Sequence, residues 1–203
     1  MKTISQILEH MLEIFEQKEH GITSFDIQFD ITDSNQPWFL SIDANGTPVL
    51  CQSADFEPQM ILHLSKNLLE SIYLGETTGL TQMGREKLSD QTPMDFSLGT
   101  GVKLTGELMQ KALIFAQRFL NPTLPERIKL QKYSARLVHG GWALPMFYHT
   151  GFRSAWYQLE KGQQLNQPGD TNPFSQAFVI IEGNGYAKIG DETIEIEAQN
   201  AYY

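Results

Sequence analysis

Two stretches decide the fold: Phe25-Asp-Ile-Gln-Phe-Asp-Ile31 and, after a short polar connection, Trp38-Phe-Leu-Ser-Ile-Asp-Ala-Asn-Gly-Thr-Pro-Val-Leu-Cys51. In the first, Phe25, Ile27, Phe29 and Ile31 alternate with Asp26, Gln28 and Asp30, the period of a strand with one buried face. In the second, Asn45-Gly46 separates two apolar runs and predicts a hairpin on a two-residue type I′ turn, with positive φ at both turn residues. That turn sets a register: Ile42 opposite Val49, Leu40 opposite Cys51 and Trp38 opposite Ser53, all the apolar residues falling on one side. Cys51 is then a small core thiol.

The pattern extends outward in both directions. Ile4, Ile7, Leu8, Met11, Ile14 and Phe15 share one helical stripe, with Gly21 placed to end the helix. Met60 to Leu64 reads as a strand, followed by Ser65 as an N-cap and a short helix that turns Leu68, Leu69, Ile72 and Tyr73 inward and stops at Gly75. A weak helix near Thr81 to Ser89 precedes a strand carrying Met94, Phe96 and Leu98, and a long helix runs from Thr105 to Leu120. Its apolar positions, among them Leu108, Ala112, Leu113, Phe115, Ala116, Phe119 and Leu120, exceed a single stripe, so it must bury two faces. The second face would meet another domain, a partner subunit or an apolar ligand.

Asn121-Pro-Thr-Leu-Pro125 stops this helix and changes the texture of the chain, which places a domain boundary there: 1–121 and 122–203. From Tyr133 onward, short apolar runs punctuated by glycine predict an all-β barrel or sandwich. Phe178 to Ile181, Tyr186 to Ile189 and Thr193 to Glu197 read as a three-stranded meander, and Ala201-Tyr-Tyr203 as the start of a further strand in a truncated barrel. The expected class is α+β: a mixed sheet with helices on one face, then a partial all-β barrel.

Charge and composition exclude several functions. The chain has 203 residues, with 24 acidic and 15 basic side chains and a net charge of −9, and its Lys and Arg are scattered singly, so neither nucleic acid nor an anionic membrane is an expected partner. A hydrophobic fraction of 41% is that of a chain with a core. One cysteine makes no intramolecular disulfide, no cleavable leader is evident, and no apolar run reaches the roughly 20 residues that span a bilayer, which together predict a cytoplasmic protein.

Catalytic patterns are missing. Gly99-Thr100-Gly101 sits between a strand and a helix, but Gly106 is followed by Glu107, which would repel a phosphate, so a plain turn is expected. His10, His20, His63, His139 and His149 show no metal-binding spacing, and His63 reads as an exposed sheet-face residue. No Ser, His and Asp order and no nucleophile elbow is evident, so nucleophilic hydrolysis has no support at this level. Neither a metal nor a cofactor is expected.

The helix, hairpin, strand, helix, strand, helix order over Phe25 to Pro122, with Trp38 to Leu50, Met60-Ile-Leu-His-Leu-Ser65 and Leu74-Gly75, resembles the sterol carrier protein type two family. Gly84-Arg-Glu-Lys-Leu88 matches that family's next strand only loosely, and Gln91 to Phe96 is inserted. The resemblance implies a lipid-like molecule (fatty acyl, sterol or isoprenoid) held between sheet and helices. Its wall would be Trp38, Leu40, Ile42, Val49, Leu68, Ile72, Leu108, Ala112, Phe115 and Phe119, residues whose ordinary reading is core.

Trp156-Tyr-Gln-Leu-Glu-Lys-Gly162, Gln176-Ala-Phe-Val-Ile-Ile-Glu-Gly183 and Ile189-Gly-Asp-Glu192 resemble the first half of a cupin barrel. Gln176 stands where that family has its glutamate, and Asp170 and Asn172 stand at its histidine positions, so no transition metal is expected. The resemblances together imply non-enzymatic binding or transport of a lipid, with the cupin-like region as a docking or sensing module and a site of homodimer formation. The alternative is a metal-dependent oxygenase or isomerase in a longer parent chain.

Overall fold

The computed structural model describes residues 2–87, 89–166 and 174–203. It is α+β, with four α-helices and several sheets. The largest sheet is built from β1 (Phe25–Ile31), β2 (Trp38–Ile42), β3 (Pro48–Cys51), β4 (Met60–Leu64) and β5 (Met94–Leu98), in the order β3-β2-β1-β4-β5. β1 and β4 are parallel, and the other neighbours antiparallel. The starts of β1, β2, β4 and β5 fall where the alternation begins.

One face of this sheet is covered by α1 (Ile4–Glu16) and α4 (Gly106–Arg118). α1 opens with a capping box: Thr3 Oγ1 accepts from the Gln6 N–H at 3.2 Å, and Gln6 Oε1 from the Thr3 N–H at 3.0 Å. Thr105 caps α4 in the same way, its Oγ1 accepting from Leu108 N at 3.1 Å. Rings of Phe15, Phe25, Phe29, Phe115 and Phe119 meet between the layers, with Phe115 stacked on Phe119 at 4.9 Å. All five are fully buried, each burial contributing about 1.5–3 kcal/mol against an exposed ring.

Lys18 ties the ends of the two helices together. Its Nζ donates to the carbonyls of Arg118 at 2.7 Å and Asn121 at 2.6 Å and lies 3.2 Å from the Glu126 carboxylate. Burial lowers the lysine pKa, and the Glu126 charge opposes that shift. The ammonium thus satisfies carbonyls that the end of α4 leaves open.

The hairpin register differs from the expectation by one residue. Leu40 faces Leu50, Ile42 faces Pro48, and Phe39 faces Cys51. Within the loop from Asp43 to Thr47 positive φ is confined to Gly46, at 84°, and Gly46 N donates to Asp43 O at 3.1 Å. The loop is therefore a type I turn closed by a glycine bulge, one residue longer than a type I′ turn. The Asp43 carboxylate holds it by accepting from the N–H groups of Asn45 and Thr47, each at 2.8 Å, and these bonds, the one from Thr47 first, lower its pKa. The shift moves Val49 and Cys51 to the open face of the sheet; Val49 is 58% exposed.

α2 (Lys66–Tyr73) is capped by Ser65 as expected, while the weak helix shrinks to one turn, α3 (Gly79–Gln82). After α4 come β6 (Arg136–Val138), β7 (Gly141–His149) and β8 (Phe152–Gln158), an antiparallel sheet with a bulge between Pro145 and Phe147. The second face of α4 is taken up by this part of the chain and by α3. The buried Gln117 accepts from Tyr148 N at 2.6 Å, and the Arg118 guanidinium lies 5.7 Å from the centre of the Phe147 ring.

Two compact units result, 1–167 and 168–203, so the packing division falls after β8 rather than at Asn121 to Pro125. In the second unit, β9 (Phe178–Val179) pairs with β12 (Ala201–Tyr202), and β10 (Asn184–Ile189) with β11 (Glu192–Glu197). This corrects the expected meander. Ile180 N donates to Asn200 O, and Ala198 N to Gly183 O, so the two ribbons form one long hairpin that turns at Gly190-Asp191. Its register shifts by one between Ile180 and Gly183, a bulge that ends where Gly183-Asn-Gly185 begins, and these three residues make no turn. No described residue of this hairpin is buried.

Candidate functional site

Eight residues of the predicted apolar wall converge. Trp38, Leu40, Ile42, Ile72, Leu108, Ala112, Phe115 and Phe119 belong to one continuous core between the sheet and the helices, and Leu68 packs against it half-buried. Val49 does not join them, because the hairpin bulge turns it to the other face. The space they enclose is filled by the phenylalanine rings. A cavity of about 10 Å³, room for one water, is lined by Thr78, Thr81, Asn121, Ser134 and Leu144 among others, and a shallow groove of about 280 Å³ by Glu16, His20, Gly46, Thr47 and Pro48. Neither touches the predicted wall.

The opposite face of the sheet is open and mixes polar with apolar side chains. There the even-numbered residues of β1 and the odd-numbered residues of its neighbours project together, since register pairs share a face. Asp30 is paired with His63, and His63 with Asp95. The Asp30 Oδ2 lies 3.0 Å from His63 Nδ1, and His63 Nε2 lies 2.7 Å from Ser97 Oγ. Arg85 pairs with Asp95 at 3.0 Å, its guanidinium over the Phe96 ring at 4.8 Å. Ser41 donates to Asp26 at 2.5 Å in the same face.

His63 is thus the exposed sheet-face histidine that strand parity predicts, but its two partners are not legible from spacing. They lie 33 and 34 residues away, and only the strand register brings them together. Gly99 to Val102 is a turn, closed by Val102 N donating to Gly99 O at 3.1 Å. Among the described residues no group of three His, Cys, Asp or Glu side chains is placed to hold a metal ion. Asp170 and Asn172 lie outside the described residues, and Gln176 is exposed. Among the described residues no helix is long and apolar enough to cross a membrane.

Compared with protein-family models, with curated proteins and with solved structures, the chain finds no match.

Proposed function

We propose that the first 121 residues bind or carry an apolar, lipid-like molecule without catalysing its conversion, in the manner of the sterol carrier protein type two family, and that they do so in the cytoplasm. The observation that supports this reading is the convergence of eight expected wall residues on one apolar layer between α1, α4 and the five-stranded sheet. Fatty acyl, sterol and isoprenoid molecules share the required chemistry. Because the layer is filled by side chains, the bound form has to be an opened one, in which the stacked Phe115 and Phe119 rings part and the ligand takes up their contacts.

The cupin-like region serves as a metal-free docking or sensing element and pairs with a second copy. Val179, Ile181 and Tyr186, each more than 60% exposed, are the apolar side chains such a contact would cover.

Native mass spectrometry of the purified protein, with extraction and identification of what it releases, tests the binding. The expected result is a defined apolar molecule near one per chain, and a rise in melting temperature when it is added back to the stripped protein. A stripped, folded sample that takes up no fluorescent acyl, sterol or isoprenoid probe would overturn the reading.

A further inference from the structure

We propose that Asp30, His63 and Ser97 form a nucleophilic site for acyl transfer on the open face of the sheet. The site lies on the face opposite the apolar layer, so it stands or falls independently of the binding reading.

The hydrogen-bond directions follow from the donor inventory. A carboxylate only accepts, so the contact at 3.0 Å places the imidazole proton on Nδ1. In the neutral ring Nε2 is then the acceptor, and the contact at 2.7 Å is Ser97 donating its hydroxyl proton. A hydroxyl so bonded to a base whose tautomer a carboxylate fixes is the arrangement that activates a serine. The three side chains stand on three neighbouring strands, β1, β4 and β5, which hold their spacing more firmly than loops would. Solvent and substrate reach them: Ser97 is exposed and the His63 side chain is 41% exposed. The second carboxylate in the row, Asp95, is occupied by Arg85.

Two further features suit an acyl substrate. β5 is the edge of the sheet, and Gly99 N–H turns inward to Gln59 O at 3.3 Å, so by antiparallel alternation the N–H of Leu98, next after the nucleophile, points away from β4. It is a donor for the oxyanion. Ser97 also begins a straight cross-strand row through Ile61 and Gln28 to Phe39, whose ring meets Phe56 edge-on at 5.9 Å. Three strand spacings separate Ser97 from Phe39, about 14 Å at 4.8 Å each, a bed for an acyl chain. The substrate class is therefore an acyl ester or thioester.

In the step, Ser97 Oγ forms a bond to the acyl carbon while its proton passes to His63 Nε2. The bond from carbon to the leaving alcohol or thiol then breaks, and the leaving group takes that proton. Water, deprotonated by the same nitrogen, releases the carboxylic acid and restores the serine.

The test uses the intact chain with an alkyl fluorophosphonate and with p-nitrophenyl octanoate. The expected result is one phosphonyl group per chain, located on Ser97 by peptide mass spectrometry and absent in Ser97→Ala. His63→Ala should slow labelling and ester turnover by about a hundredfold or more. Asp30 acts through the histidine as a positioning residue. Asp30→Asn, which keeps the shape of the side chain if His63→Ala fails to fold, should slow both and move the imidazole proton from Nδ1 to Nε2 in ¹⁵N spectra. An unlabelled Ser97, or one labelled equally fast in wild type, His63→Ala and Asp30→Asn, would overturn the proposal.

Discussion

In β1 the alternation Phe25-Asp-Ile-Gln-Phe-Asp-Ile31 leaves its four apolar residues 0–1% exposed, whereas in β11 the alternation Glu192-Thr-Ile-Glu-Ile-Glu197 leaves Ile194 and Ile196 only half-buried. The two strands carry the same period. What differs is the layer that meets them: α1 and α4 close over the first, and among the described residues of its own unit the second has only its hairpin partner. Period two selects a face, and a second layer turns that face into a core. A lone two-stranded ribbon is marginal in water, so the hairpin gains little from its own burial.

The largest way to break this comparison is to remove one apolar side chain from each side. Phe115 touches Phe15, Phe25, Phe29 and Phe119, and Phe115→Ala should cost about 3–5 kcal/mol in urea unfolding, through lost transfer energy and the cavity left behind. Ile194→Ala in the hairpin should stay within about 0.5 kcal/mol. If Ile194→Ala costs as much as Phe115→Ala, the hairpin is part of a core supplied from elsewhere, and the contrast fails.

A smaller effect comes from space rather than from rings. Gly79 donates its N–H to Leu120 O at 2.9 Å, and a Cβ there would stand 2.4 Å from the Leu120 Cβ. Gly79→Ala should therefore cost about 1–3 kcal/mol by overpacking α3 against the end of α4. Gly185 in the hairpin has nothing within 4 Å of such a carbon, and its φ is not positive. Gly185→Ala should be neutral or stabilise by about 0.4–1 kcal/mol through the unfolded state. Equal melting temperatures for both variants would show that the end of α4 is as loosely packed as the hairpin.

The same contrast explains which features the sequence made legible. Strands and helices that meet a second layer announce themselves by their stripe, and so β1, β2, β4, β5 and α2 start where the pattern starts. The hairpin register was missed because Asn45-Gly46 suits two turns. The deciding residue is Asp43, which with Gly46 three positions on is the signature of a type I turn. Gly183-Asn-Gly185 reads as a turn for a related reason: Gly183, at a φ of 84°, closes a bulge, and glycine serves bulges as readily as turns. Asp30, His63 and Ser97 were out of reach because their contact is a product of register across three strands, not of any local spacing.

The smallest effect lies at the margin of the core and sharpens where it ends. His20 stacks on the buried Phe15 ring at 4.2 Å, and its Nδ1 accepts from Ile22 N at 3.1 Å. Burial first, then the Arg118 charge, lowers its pKa from the ordinary 6.5, against a smaller rise from its bond to the Gly46 backbone. Well above pH 6.5 the ring is neutral folded and unfolded, and its contribution to stability is fully present. As pH falls below that value the unfolded chain takes up a proton that the folded ring resists, so stability declines until the folded ring titrates too. His20→Leu removes this dependence. Urea unfolding at pH 7.5 and 5.5 should show the wild type losing more stability than the variant between those conditions. Equal losses would place His20 outside the core, in the same solvated state as the hairpin side chains.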